Sequence, residues 1–359
     1  RQNAVAQIQA LLTARQQAAR TKAQQMGLPL RVIHPNGRVI EITDFDGNQP
    51  VYFTTHNANA AISSGANLLQ AAPYSMNGTG LTVGVWDGGA VRSTHQELSG
   101  RVVIKDGATP VDHSTHVGGT IGAAGTQAAA KGMAPAVAID SYEWTSDKSE
   151  QTARGASYPG EAGKIYLSNH SYGYVSGWNY TGLSSPRWTW YGSGTTSASI
   201  EPDFGKYETN ARDSDSMAFS LPYYLIIRSA GNDRADSPSA GDPVSLTTST
   251  TSAVSYDPAA HPAGDGAYRG NGYDTISYDA VAKNVLTIGS VGDAVSGGTR
   301  SLAGAYMSYY SSWGPTDDGR IKPDLVANGE NLYSSFSGSD TTYGTMSGTS
   351  MATPSTTGS

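Results

Sequence analysis

Gly348-Thr349-Ser350-Met351-Ala352-Thr353-Pro354 sets a serine among small residues, with only nine residues following it. A serine hydroxyl is a poor nucleophile until a base takes its proton, so the reading turns on where a histidine and a carboxylate lie. The elbow Gly-x-Ser-x-Gly of the α/β-hydrolases is excluded, because the second position after Ser350 is Ala352. That arrangement also needs its acid and histidine downstream of the serine, and the chain has no room for them there. A histidine and a carboxylate are therefore sought upstream.

Working outward, the first landmark is Leu81–Trp86, a largely apolar run ending in Asp87-Gly88-Gly89. This is the pattern of a parallel strand buried on both faces, with a functional carboxylate at its C-terminal mouth. Val137–Tyr142, Lys164–Ser168, Tyr223–Ile227 and Val285–Ile288 read as further strands, and Val117–Ala124 as a helix. The resulting class is α/β, a mostly parallel sheet flanked by helices. Two polar stretches, Val175–Met217 and Arg234–Ser277, lack sustained periodicity and read as surface excursions. Gly78-Thr79-Gly80 precedes the first strand, not a strand-to-helix turn, which excludes a dinucleotide-binding fingerprint.

The N-terminal part has a different texture. Val5, Ile8, Leu11 and Leu12 recur at helical spacing until Gly27 and Pro29 interrupt them. Leu30–Ile33, Val39–Ile42 and Val51–Thr55 then form strand-like runs, separated by Pro35-Asn36-Gly37 and Asp46-Gly47-Asn48 turns. The expected organisation is a small α+β domain over residues 1–64 and a catalytic domain over 65–359, joined through Asn57–Gly65.

The seven residues around Ser350 resemble the nucleophile motif of the subtilases, the subtilisin-like serine peptidases. Two upstream motifs support that resemblance in the family's order of Asp, His, Ser. Val83-Gly84-Val85-Trp86-Asp87 resembles its strand-then-Asp segment, with Gly88 where Ser or Thr is more usual. His113-Ser114-Thr115-His116-Val117-Gly118-Gly119-Thr120 resembles its histidine motif, with Ser114 in place of Gly. The resemblance implies a subtilisin-like fold and a catalytic triad, read here as Asp87, His116 and Ser350. His116 would stand at the head of the helix starting near Val117, and His113 and His95 are taken as ordinary polar residues. Ala230-Gly231-Asn232 resembles the segment whose Asn232 amide stabilises the oxyanion beside the Ser350 N–H. Ser171-Tyr172-Gly173 resembles the strand that pairs with the substrate backbone. Ala327-Asn328-Gly329 departs from the usual Ala-Pro-Gly.

The expected function is a serine endopeptidase acting on polypeptides through an acyl-enzyme. The alternatives are a catalytically silent peptide-binding relative, or an esterase or transferase on the same triad. By position, the N-terminal unit resembles a propeptide, an inhibitor of its own enzyme, and the protein would then be a zymogen. No cofactor is expected for catalysis, although structural Ca²⁺ is suggested by loops such as Asp233–Asp242. The helix starting near Ser350 suggests a further C-terminal segment beyond Ser359.

Composition bounds the rest. Charged residues are 15% of the 359, the formal net charge is −7 and no Lys/Arg-dense stretch exists, which argues against nucleic acid. No apolar run reaches membrane-spanning length. With no cysteine, disulfides, thiolate nucleophiles and Cys-ligated zinc are excluded. No His-Glu-x-x-His spacing occurs. The expected location is secreted or cell-envelope, of bacterial type, with no signal peptide within the chain.

Overall fold

The computed structural model describes residues 14, 17–33, 39–46, 49–55, 63–248, 252–267, 272–296 and 299–359. Residues 17–25 are helical. Three antiparallel strands follow: β1 (Arg31–Ile33), β2 (Val39–Asp46) and β3 (Gln49–Thr55). The helical positions Val5, Ile8, Leu11 and Leu12 lie outside the described residues, as do 34–38, 47–48 and most of the Asn57–Gly65 junction. The chain is described again from Ser63, whose hydroxyl accepts the Ala294 N–H at 3.0 Å. A short helix, α1 (Ala66–Gln70), leads into the larger unit.

The strands of that unit are β4 (Thr82–Asp87), β5 (Val102–Ile104), β6 (Ala138–Glu143), β7 (Leu167–His170), β8 (Tyr172–Tyr174), β9 (Trp178–Tyr180), β10 (Trp188–Trp190), β11 (Leu225–Ser229), β12 (Pro243–Ser245), β13 (Val254–Ser255), β14 (Leu286–Val291), β15 (Val295–Ser296), β16 (Thr299–Arg300), β17 (Leu325–Asn328), β18 (Leu332–Ser335) and β19 (Tyr343–Met346). Its helices are α2 (Asp112–Gly122), α3 (Asp147–Arg154), α4 (Thr209–Ser220) and α5 (Thr349–Gly358). Seven strands form one sheet, in the order β17-β14-β11-β7-β4-β6-β5. Every pairing in it is parallel. This is the α/β class expected, and each sequence-read core strand is present with its ends moved by a few residues.

Strand β4 explains why the apolar run was so legible. Val83 and Val85 face α2 and α5, packing with Val117, Ile121, Ile139 and Met351. Trp86 points the other way, into a cluster with Tyr142, Trp144, Tyr172 and Ile226. Both faces are covered, so no position on the strand needs a polar side chain. Each such fully buried side chain contributes ~1.5–3 kcal/mol. Asp87 ends the strand at the sheet's C-terminal edge.

The two polar stretches are not mere excursions. Strands β9 and β10 come from the first and β12 and β13 from the second, and they form one sheet in the order β13-β12-β10-β9. Trp178, Trp190, Val244 and Tyr256 give it a buried core of its own. Its strands are only two or three residues long, too short to display an alternating pattern.

One further sheet joins the two parts of the chain. It runs β1-β2-β3-β8, with Phe53 opposite Tyr174, Thr54 opposite Gly173 and Thr55 opposite Tyr172. The N-terminal meander thus extends directly onto β8.

Candidate active site

Asp87 is fully buried at the mouth of β4. Its carboxylate accepts the Gly88 N–H at 2.7 Å, the Ser114 hydroxyl at 3.1 Å and His113 Nδ1 at 2.8 and 2.9 Å. A carboxylate can only accept, so Nδ1 carries the proton and Nε2 is left as the basic nitrogen.

The histidine that meets Asp87 is therefore His113, which corrects the reading of His116. The cause is the start of α2. The helix begins at Asp112, five residues earlier than Val117, so His113 occupies the first turn and projects past the helix end towards β4. His116 lies one turn deeper, where the helix presses on β18. The approach there is so close that a Cβ on Gly119 would overlap the Ser334 hydroxyl. His116 Nε2 donates to the Leu332 carbonyl at 2.9 Å, and its ring meets Phe336 edge-on at 5.9 Å. Nδ1 is buried without a partner. Burial, and secondarily the charge of His113, pushes the imidazole down to about 3. His116 is a neutral packing residue.

Ser350 is the second residue of α5, where free N–H groups and the helix dipole favour negative charge. Its hydroxyl donates to the Ser171 carbonyl at 2.6 Å, and the Ser171 hydroxyl donates back to the Ser350 carbonyl at 2.5 Å. Asn232 reaches the same helix start. Its Oδ1 accepts the Thr349 N–H at 2.9 Å and the Thr349 hydroxyl at 3.0 Å. Those two donors fix the orientation of the carboxamide at the residue preceding Ser350. The turn that delivers Asn232 depends on Gly231, at φ 105°, where a Cβ would also stand 2.6 Å from Asp233 Oδ2.

Tyr172 and Gly173 lie on β8, and Ser171 directly precedes it. Behind them runs a buried ionic network. Arg228 contacts Asp147 and Asp279 at 3.3 Å each, and Lys148 reaches Asp279 at 2.9 Å. The Tyr172 hydroxyl donates to Asp147 at 2.7 Å, and the Arg228 guanidinium sits 5.1 Å from the Tyr172 ring centre. Burial would raise Asp279, but Lys148 and Arg228 beside it hold it below its ordinary value.

A carboxylate-held histidine, a helix-start serine and an oriented carboxamide thus lie along one sheet edge. The family model that matches, described as the subtilase family, spans residues 78–359, more than half of the chain. The chain belongs to the subtilase family. Serine protease AprX of Bacillus subtilis is 37% identical over 92 residues, 22% of this chain and 20% of that protein. C5a peptidase of Streptococcus pyogenes is 45% identical over 54 residues, 15% of this chain and 4% of the relative. The serine protease/ABC transporter B family protein tagD of Dictyostelium discoideum is 28% identical over 214 residues, 46% of this chain and 11% of the relative. Each match therefore covers a fifth or less of the relative's length.

The histidine that meets Asp87, set aside in the sequence reading as an ordinary polar residue, is His113. The signal that could have found it was Asp112, an acidic residue suited to a first helical turn, which places the helix start before both histidines. In the loop in which calcium was suggested, the carboxylates of Asp233 and Asp242 meet protein donors. Asp233 accepts the Ser312 hydroxyl at 3.0 Å, and Asp242 pairs with Arg187 at 3.0 Å and with the Ser239 N–H at 2.9 Å. Among the described residues no group of three or more His, Asp or Glu side chains is arranged to hold a metal ion. Nor is any described helix long and apolar enough to cross a membrane.

Proposed function

We propose that the chain is a serine endopeptidase of subtilisin type, with Asp87, His113 and Ser350 as its triad. The observation that carries this reading is the Asp87–His113 pair, at the strand edge that also faces the start of α5. Asp87 holds the imidazole in the tautomer whose Nε2 can take a proton, and stabilises the imidazolium that forms. Ser350 turns its hydroxyl from the Ser171 carbonyl to His113 and attacks the peptide carbonyl. The proton passes to Nε2, and the oxyanion accepts from the Asn232 amino group and the Ser350 N–H. His113 then gives the proton to the leaving amine, and water hydrolyses the acyl-enzyme by the same route in reverse. One such oxyanion donor contributes ~3 kcal/mol to the transition state.

The reading extends to the N-terminal unit. Strand β8 would bind a peptide by strand addition, and β3 already lies antiparallel on it. The unit thus fits an intramolecular inhibitor, and the protein a zymogen that acts outside the cell or in its envelope on polypeptides.

The decisive experiment compares wild type with Ser350→Ala on a denatured protein substrate. Loss of cleavage by several orders of magnitude, with an unchanged fold, is expected. Undiminished cleavage by Ser350→Ala would overturn the assignment.

A further inference from the structure

Strand β8 is three residues long and ends its sheet, where β3 is the one described strand paired with it. In the peptidase reading above, a substrate peptide would take the place of β3. During that exchange β8 has no described strand beside it, so its position depends on what its side chains hold below. Successive side chains of a strand alternate between faces. Tyr172 and Tyr174 therefore point the same way, into the core, and Gly173 between them offers only backbone. Tyr174 stacks on Tyr278 with ring centres 4.4 Å apart. Tyr172 instead joins a row of hydrogen bonds.

That row runs through His170, the last residue of β7, which is fully buried and stacked on Trp86 at 5.4 Å. The Tyr172 hydroxyl gives its one proton to Asp147 at 2.7 Å. Its oxygen can then only accept from His170 Nδ1, at 3.0 Å, which places the ring proton on Nδ1. Nε2 is left as an acceptor, and the Ser168 hydroxyl donates to it at 2.7 Å. Ser168 in turn accepts the Tyr224 hydroxyl at 2.5 Å. Each group has one proton to give, so the whole row from Tyr224 to Asp147 points one way. Burial, and after it the charges of Arg228 and Lys148, hold the imidazole well below its ordinary value. The ring is thus neutral, as this order requires.

Resting on the peptidase reading, we infer that His170 is a positioning residue for peptide substrates: by donating Nδ1–H to Tyr172 it fixes the strand on which the peptide backbone pairs. Its effect passes through Tyr172. Packing alone would be served by any flat ring of this size on Trp86. The oriented pair of hydrogen bonds is what a phenyl ring cannot supply, and a buried hydroxyl left without its partner is costly. A substrate too small to lie along β8 is indifferent to His170.

The test measures kcat and KM of the full chain for an extended peptide and for p-nitrophenyl acetate, after any lag, with Ser350→Ala as the control. His170→Phe keeps the stacked ring and loses both hydrogen bonds, whereas His170→Asn keeps a donor for Tyr172. The Phe variant should raise KM for the peptide at least ~10-fold while kcat/KM for the ester stays within ~3-fold. The Asn variant should recover most of that difference. Equal losses on both substrates, an unchanged peptide KM, or an Asn variant no better than Phe overturns the inference and leaves the peptidase reading intact. If His170→Phe does not fold, Ser168→Ala decides, because it removes the donor to Nε2 that orders the row. A raised ratio of peptide KM to ester KM in that variant supports the inference, and an unchanged ratio overturns it. Absence of Ser350-dependent peptide cleavage by the wild type overturns the peptidase reading, and this inference with it.

Discussion

His113 donates Nδ1–H into the Asp87 carboxylate, at 2.8 and 2.9 Å, while His116, one turn on, donates to the Leu332 carbonyl. Two histidines of one short motif therefore have different partners, and mutation separates their proposed roles. His113→Ala should lower kcat by at least ~10³-fold with little change in melting temperature. His116→Ala should do the reverse, lowering the melting temperature while kcat in the folded fraction stays within a few-fold. Paired kinetics and thermal unfolding of the two variants check this. Exchange of those outcomes would restore His116 as the base.

The same residue should make the protein less stable in acid. His116 is held neutral down to about 3, against 6.5 for the free side chain, so the unfolded chain binds the extra proton between those values. Stability contributed by the neutral ring is complete above pH ~6.5 and is lost as pH falls towards ~3, by up to a few kcal/mol. Denaturant midpoints measured across that range should fall with acidification, and less steeply in His116→Gln. Parallel slopes in both proteins would remove His116 as the cause.

Asn232 offers a cleaner dissection than truncation. Asn232→Asp keeps an oxygen for the Thr349 N–H and hydroxyl but removes the carboxamide's amino group, the oxyanion donor proposed above. The helix start should hold its shape while kcat falls by ~10²–10³-fold or more and KM changes little. An unaltered kcat would show that the oxyanion draws on other donors.

Strand β3 is paired on both sides, to β2 and to β8, with Thr54 opposite both Ile40 and Gly173. Thr54→Pro removes an N–H from a strand that has no free edge. If β3 restrains the site, this variant should show a shorter lag before full proteolytic rate than wild type. Progress curves with an identical lag would mean that the strand does not govern access.

Much of this molecule was legible in its sequence where burial leaves one solution. Leu81–Trp86 could only be a strand covered on both faces, and Asp87 and Ser350 stand at a strand end and a helix start that local pattern marks. The choice between His113 and His116 was not legible from periodicity. Both lie in one small-residue helix, and the decision depends on where α2 begins relative to β4. The sheet of β9, β10, β12 and β13 was hidden for another reason. Its core is assembled from segments far apart in sequence, each too short to carry a pattern.

The reciprocal hydrogen bonds between Ser350 and Ser171 would give the proposed peptidase a form of discretion at rest. With the triad proposed above, a hydroxyl proton resting on the Ser171 carbonyl is not offered to His113. That carbonyl belongs to the run which an incoming peptide backbone would engage. A peptide that arrives in register would compete for it and release the hydroxyl; a small electrophile that drifts in alone would not. On that reading reactivity would be tied to the arrival of a chain, and the nucleophile would be least exposed to stray reagents when it has nothing to cut.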